Sequence, residues 1–354
     1  MPQQEQGVAL LVRILLAAWI MLWLAGSQAL AQPPSPDVER AAAQLVTPAI
    51  QAAIDRGLAY LTRRHQNDGS FGSSGYARNV AVVSLAGMAW LASGSVPGRG
   101  PYGEQVTRCG RYVLESADES GFLCRPEYAS HGPMYDHGFG LLFLAEVYGM
   151  WSEDRLRPVV ERAVRLTVST QNAEGGWRYQ PRPVEADISV TVCQVIALRA
   201  ARNAGLYVPP ATIDRSVEYI TRCQNADGGF MYMLSGGPSR FPRSAAAVAA
   251  LYGAGQYESE VLRKGLAYVQ QHPPSAEELG RDAYAMYGQY YAAQALWQAG
   301  GEAWLSWYPA IAELLLKQQR EDGSWNDLIC PEYGTAMALL ILQMPNNMLP
   351  IFQR

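Results

Sequence analysis

The chain has 354 residues, 49% of them hydrophobic, and a formal net charge of −4. That length suits one large domain or two small ones, at roughly 100–200 residues each. No long basic run is present, so the sequence offers no extended basic face for a nucleic-acid backbone, and nucleic acid is not an expected partner.

In chain order, Arg13 precedes an apolar run from Ile14 to Ala25, and Ala29-Leu30-Ala31 supplies a small-x-small cleavage site. The run falls short of the ~20 residues of a spanning helix, so residues 1–31 are expected to be an export signal. The destination is then the periplasm, the cell envelope or the medium, with an uncleaved anchor as the alternative. Residues 32–53 are expected to hold a Pro-rich linker and a lead-in helix over Val38 to Ile50.

From Ile54 onward an outer helix, a loop and an inner helix alternate. The outer helices are expected near 54–64, 106–116, 156–170, 213–223, 260–270 and 308–318. The inner ones are expected near 79–92, 138–148, 188–203, 244–253, 283–299 and 333–342. The loop glycines Gly69, Gly121, Gly175, Gly228 and Gly323 recur at a period of roughly 50 residues, a repeat signature. A loop at Pro273-Pro274 has lost the motif and fills the one gap.

The outer segments are amphipathic: Arg215, Glu218 and Arg222 oppose Val217, Tyr219 and Ile220. The inner segments are apolar nearly all round, as in Ala245 to Leu251, and must be buried. About six buried helices inside six amphipathic ones predict an all-α single toroid, an (α/α)6 barrel over residues 54–354, with an open solenoid as the alternative. Gly after Asp permits a positive φ that ends the outer helix and reverses the chain. The loop Gln satisfies freed backbone groups there, and the Trp or Phe after the glycine seals the seam. Five cysteines, in no C-x-x-C spacing, signal no zinc cluster; Cys109 and Cys124 could pair.

The stretch Arg56-Gly57-x-x-Tyr60-Leu61, followed by Gln66, Gly69 and Phe71, resembles the QW repeat of squalene and oxidosqualene cyclases. Arg263 to Val269 repeats its first half. The chain therefore resembles the prenyltransferase and squalene-oxidase repeat superfamily over about Ile54 to Met344, as an exported single-toroid member. The resemblance implies the α/α toroid and an isoprenoid or other apolar ligand. The cyclases' acidic Asp-x-Asp-Asp-Thr motif is met only by Glu185-Ala186-Asp187-Ile188-Ser189, where Ile188 stands in place of an Asp. No Asp-x-Cys occurs, which sets aside the zinc chemistry of protein prenyltransferases.

Polar residues at the starts of the inner helices face one mouth of such a ring and are the site candidates. Asp187, directly before Ile188, reads first as an N-cap and, compatibly with that, as a candidate general acid helped by Glu185 or His137. Arg240 and Arg243 could bind an anion or pair with Asp187, Glu332 or Asp136. Tyr284 and Tyr287, with Tyr290 and Tyr291, could line a wall or simply pack, and Glu332 completes the ligand-binding set. No cofactor is expected; zinc on His131, His137 and Cys330 is the alternative. Three functions remain open: a cyclase-like enzyme, a non-catalytic envelope binding or scaffold protein, and a polysaccharide-active toroid. A membrane surface could be a further partner.

Overall fold

A computed structural model describes residues 44–353, apart from 72–74 and 282–283. The expected signal and most of the linker therefore lie outside the described residues. No described helix is long and apolar enough to cross a membrane.

The described elements are helical. Outer helices are α1 (Pro48–Arg64), α3 (Gly103–Glu115), α5 (Leu156–Ser169), α7 (Pro210–Arg222), α9 (Glu260–Gln270) and α12 (Gly301–Gln318). Inner helices are α2 (Val80–Ala92), α4 (Pro133–Val147), α6 (Ile188–Asn203), α8 (Phe241–Gly253), α11 (Ala285–Ala299) and α13 (Pro331–Leu342), and a short α10 (Ala276–Arg281) precedes α11. Each inner helix packs on the next, α2 on α4, α6, α8, α11 and α13, and α13 returns to α2. The ring is closed, and the open solenoid is set aside.

Several helices start a turn earlier than the apolar pattern alone suggests. Pro133, Pro242 and Pro331 occupy the first turns of α4, α8 and α13, where a missing N–H costs nothing. Residues 38–43 of the expected lead-in helix lie outside the described residues. Thr47 caps a single helix that runs from Pro48 through the first outer segment, and residues 44–47 form a turn.

The loops fasten one unit to the next outer helix. Gln171 Nε2 donates to Gly175 O at 2.8 Å and to Thr212 O of α7 at 2.9 Å. Gln224 does the same to Gly228 and Val261, and Gln319 to Gly323 and Ala53. In the first unit His65, not Gln66, takes this place, its Nε2 standing 3.1 Å from Gly69 O.

Each loop glycine has a positive φ and abuts the backbone of a basic residue on the following outer helix. The pairs are Gly69 with Arg108, Gly121 with Arg162, Gly175 with Arg215, Gly228 with Lys264 and Gly323 with Arg56. The last pair closes the circle between sixth and first units. At the remaining seam α12 carries Ala310 in the basic position, nine residues before Gln319 as Arg215 precedes Gln224. Aromatic packing holds there instead: Trp304 of α12 lies 5.0 Å from Trp297 of α11 and 4.8 Å from Tyr308.

The chain end covers the mouth at the C-terminal ends of the inner helices. Trp297 Nε1 donates to Phe352 O, and Ile351 N donates to Glu146 Oε2. A cavity of about 20 Å³ beneath it, lined by Arg199, Tyr252, Gln294 and Phe352 among others, is room for one water.

Candidate functional site

The opposite mouth gathers the inner-helix N-termini, and Asp187 lies at its centre of interest. Its backbone N–H donates to Trp177 O, and the next residue's N–H donates to Tyr232 O, so the loops of the third and fourth units both anchor it. Oδ1 accepts from Val190 N at 2.9 Å, which caps α6. Oδ2 is buried without a hydrogen bond, and Arg178 Nε stands 4.0 Å from it. Burial pushes the carboxyl up to about 6; the Val190 N–H, the Arg178 charge, the Ser189 N–H and the nearby Tyr232 hydroxyl only partly oppose that. Capping and a poised carboxylic acid are therefore compatible in one side chain: one oxygen is used by the helix, the other is not.

Tyrosines enclose this acid. Tyr135, Tyr232, Tyr287 and Tyr219 all lie within electrostatic reach of it. The Tyr179 and Tyr232 hydroxyls share a hydrogen bond of 2.5 Å between the third and fourth loops. Tyr287 OH donates to Ser189 O, crossing from the fifth unit to the third. Arg178 lies over the Tyr179 ring at 5.1 Å and Arg243 over the Tyr232 ring at 5.8 Å.

Not every candidate reaches this enclosure. Glu185 is exposed and pairs with Arg178 at 2.9 Å, so it touches the acid only through that guanidinium. His137 is fully buried beside the second loop: its Nδ1 accepts from Leu123 N at 3.2 Å, and its Nε2 lies 2.9 Å from Thr167 Oγ1. Thr167 donates its own proton to Ala163 O, so the ring carries its hydrogen on Nε2 and is neutral. Burial lowers its pKa to about 4. It stands where Thr191, Ser244 and Thr335 stand in other units, each accepting the N–H of a loop aromatic, Trp177, Phe230 and Trp325. That role is a fastener's, not a proton shuttle's.

Arg240 and Arg243 pair with none of the three expected carboxylates. Asp187 is approached by Arg178, Glu332 by Arg64 at 3.2 Å, and Asp136 by Asn79 and Cys124. Asp136 is buried and pushed up to about 7, and its hydrogen bonds tie α2 to α4. Tyr284 is 63% exposed, whereas Tyr290 and Tyr291 are buried in a T-shaped pair. Cys109 and Cys124 do not pair; all five cysteines are buried free thiols. Among the described residues no group of three or more His, Cys, Asp or Glu is gathered as metal ligands would be. His131 packs edge-on against Tyr179, away from the hydrogen bonds that hold His137.

Residues 128–288 match the squalene-hopene cyclase C-terminal domain family. Among solved structures, the type II terpene cyclase MstE from Scytonema, in complex with geranylgeranyl dihydroxybenzoate, is similar at 14% identity. Its TM-score is 0.59, over 85% of this chain and 98% of that one. A protein from Actinoplanes is similar at 16% identity and a TM-score of 0.53, over 84% and 99%. A glycosidase variant is similar at 14% and 0.55, over 87% and 99%. At such identities the likeness to solved structures fixes the fold. The closed double ring with repeat loops is thus an α/α toroid of the terpene cyclase kind. The family match runs from just before α4 of the second unit into α11 of the fifth, and over that stretch the chain is similar to the squalene-hopene cyclase C-terminal domain.

Proposed function

We propose that the protein is an exported terpene-cyclase-like toroid that takes an isoprenoid or other apolar ligand at the tyrosine-lined mouth, with Asp187 as general acid. The carrying observation is the Asp187 carboxyl itself: buried, raised to about 6, with Oδ1 engaged by Val190 N and Oδ2 free of hydrogen bonds. The protonated form of this acid donates its proton to an alkene carbon. The π bond supplies the electrons of the new C–H bond and leaves a carbocation, whose charge the faces of Tyr135, Tyr232 and Tyr287 stabilise. The conjugate carboxylate is held by Val190 N–H and the Arg178 charge.

Asn preserves the cap, so Asp187→Asn keeps the fold and removes the transferable proton. Incubation of the wild type with squalene and geranylgeranyl compounds, followed by mass spectrometry of the products, is expected to show cyclisation that Asp187→Asn abolishes. Equal turnover by the variant overturns the acid role.

A second reading is binding without chemistry. It is supported by the closure of both ends, by Tyr179 with Tyr232 at one and by Phe352 at the other. Native mass spectrometry of protein taken from its own envelope separates the two, through a retained intact lipid without product. The glycosidase-like reading asks for a second carboxylate facing Asp187, and Glu185 is turned to solvent on Arg178. Export rests on residues 1–31; fractionation of cells expressing the full chain with a C-terminal tag is expected to recover it outside the cytoplasm.

A further inference from the structure

The chain end that covers the inner-helix C-terminal mouth is no part of the repeat. It leaves α13 at Gln343 and forms a strap over residues 344–353. Residues 350–352 pack on α6 of the third unit and α11 of the fifth, and Ile351 reaches Glu146 on α4. In a closed ring of six the third and sixth units stand opposite, so the strap spans the mouth. The ring does not need it for closure, because α13 packs on α2 directly.

Its polar grip on the ring is slight. Trp297 Nε1 donates to Phe352 O at 2.9 Å. The bonds from Gln298 Nε2 to Phe352 O and Gln353 O, and from Ile351 N to Glu146 Oε2, are longer, at 3.3, 3.4 and 3.4 Å. The strap turns a corner at Asn347, the one non-glycine among the described residues with a positive φ, at 51°. Asn tolerates that left-handed conformation. Met344, Leu349, Ile351 and Phe352 are buried, whereas Met348 is exposed, so the strap shows the ring an apolar face. Beneath it lie the small cavity and the Tyr290 ring, which meets Phe352 edge-on. The Tyr290 hydroxyl is fully buried and has no hydrogen bond, an unmet donor that a guest or water would satisfy. At the opposite mouth the closing tyrosines, Tyr179 and Tyr232, sit in loops that Gln171 and Gln224 fasten to outer helices. A segment tied by few bonds opens at a lower free energy than fastened loops and core helices do.

We propose that residues 344–353 are a lid: the strap lifts between Gln343 and Asn347 while the ring stays closed, and the apolar ligand enters through the mouth it uncovers. This rests on the apolar-ligand reading above and adds the route to it. Phe352 is the side chain that holds the lid down, through Tyr290 and the cavity wall.

Thiol labelling of the full chain carrying Ala249→Cys tests it. Ala249 is buried and lines the cavity together with Ile351 and Phe352, and the substitution there is small. The five native cysteines are all buried free thiols and report any opening of the ring itself. With a maleimide, and peptide mass spectrometry to place the adduct, the introduced thiol is expected to react at least about a hundredfold faster than the native ones, since local opening costs less than global unfolding. Adding Phe352→Ala is expected to raise that rate by a further tenfold or so and leave the native thiols as slow as before. An introduced thiol no faster than the native ones overturns the lid, and so does a Phe352→Ala that speeds all thiols together. Stopped-flow mixing with farnesol, followed by tryptophan fluorescence, reads the route. Phe352→Ala is expected to raise the association and dissociation rates together, several-fold each, with little change in affinity. Farnesol rates that Phe352→Ala leaves unchanged overturn this mouth as the entrance. Absence of farnesol binding in both forms overturns the apolar-ligand reading, and the labelling rates then decide the lid by themselves.

Discussion

Two buried side chains with the same chemistry on paper do opposite things in this ring. Asp187 has an oxygen left over after capping its helix; His137 has no atom left over. His137→Leu is therefore expected to destabilise the fold by about 2–4 kcal/mol, through an orphaned Leu123 N–H and lost packing. Thermal melts measure this. The wild-type histidine also predicts a sign in pH. Its pKa is about 4 folded against 6.5 unfolded, so its contribution is complete above 6.5 and lost as pH falls toward 4, because the unfolded chain binds the proton first. Melts of wild type and variant at pH 7.5 and pH 4.5 should converge toward the acid side; a constant gap counts against the assignment. Asp187 was legible in the sequence because a carboxyl directly before an apolar helix marks a cap. His137 was not, since its place among Thr191, Ser244 and Thr335 emerges only when the second loop is aligned on Leu123.

At the scale of elements, the repeat, the closed ring and the bounds of α6 and α9 follow from periodicity alone. The early starts of α4, α8 and α13 do not, because the proline that opens each lies outside the apolar run. Nor could the sequence show that the loops clasp the following outer helix; that partner is a backbone carbonyl, which has no letter. Gly175 and Gly236 separate the two demands on such glycines. Both have positive φ, at 97° and 103°. A Cβ at Gly175 would stand 2.2 Å from Arg215 O, whereas Gly236 has open space. Gly236→Ala is expected to cost about 1 kcal/mol from φ alone. Gly175→Ala is expected to cost about 3 kcal/mol or more, since the seam itself must shift. Equal melting temperatures for the two variants would show that the clasp adds nothing. Trp304→Ala tests the seam that lacks a clasp: deletion of a buried indole there is expected to cost about 3–5 kcal/mol.

For the molecule as a whole, closure at one mouth depends on an acid buried under the chain end. Glu146 lies in the last turn of α4, where helix carbonyls disfavour a negative charge. It is 3% exposed, and its Oε2 accepts the Ile351 N–H at 3.4 Å. Tyr290 of α11 is the titratable group facing it, and it is neutral at ordinary pH. Burial raises the Glu146 pKa from 4.5 to about 8, with only the Ile351 N–H opposing. A raised carboxyl contributes its stability fully below 4.5 and loses it as pH climbs through 8, because the unfolded chain gives up the proton first. Glu146→Gln, isosteric and without a proton to lose, removes that dependence. Wild type and variant are expected to melt close together near pH 5, and the wild type to fall behind by a few kcal/mol, about 1.4 for each pH unit between the two pKa values, as pH approaches 8. Carboxypeptidase digestion gives an independent reading of the same event. The ionised carboxylate loosens the segment from Met344 to Gln353, so release of C-terminal residues should accelerate above pH 8 in the wild type and stay flat in the variant. Parallel melting curves across that range would place the stability of this mouth in the Trp297–Phe352 contact rather than in the buried acid.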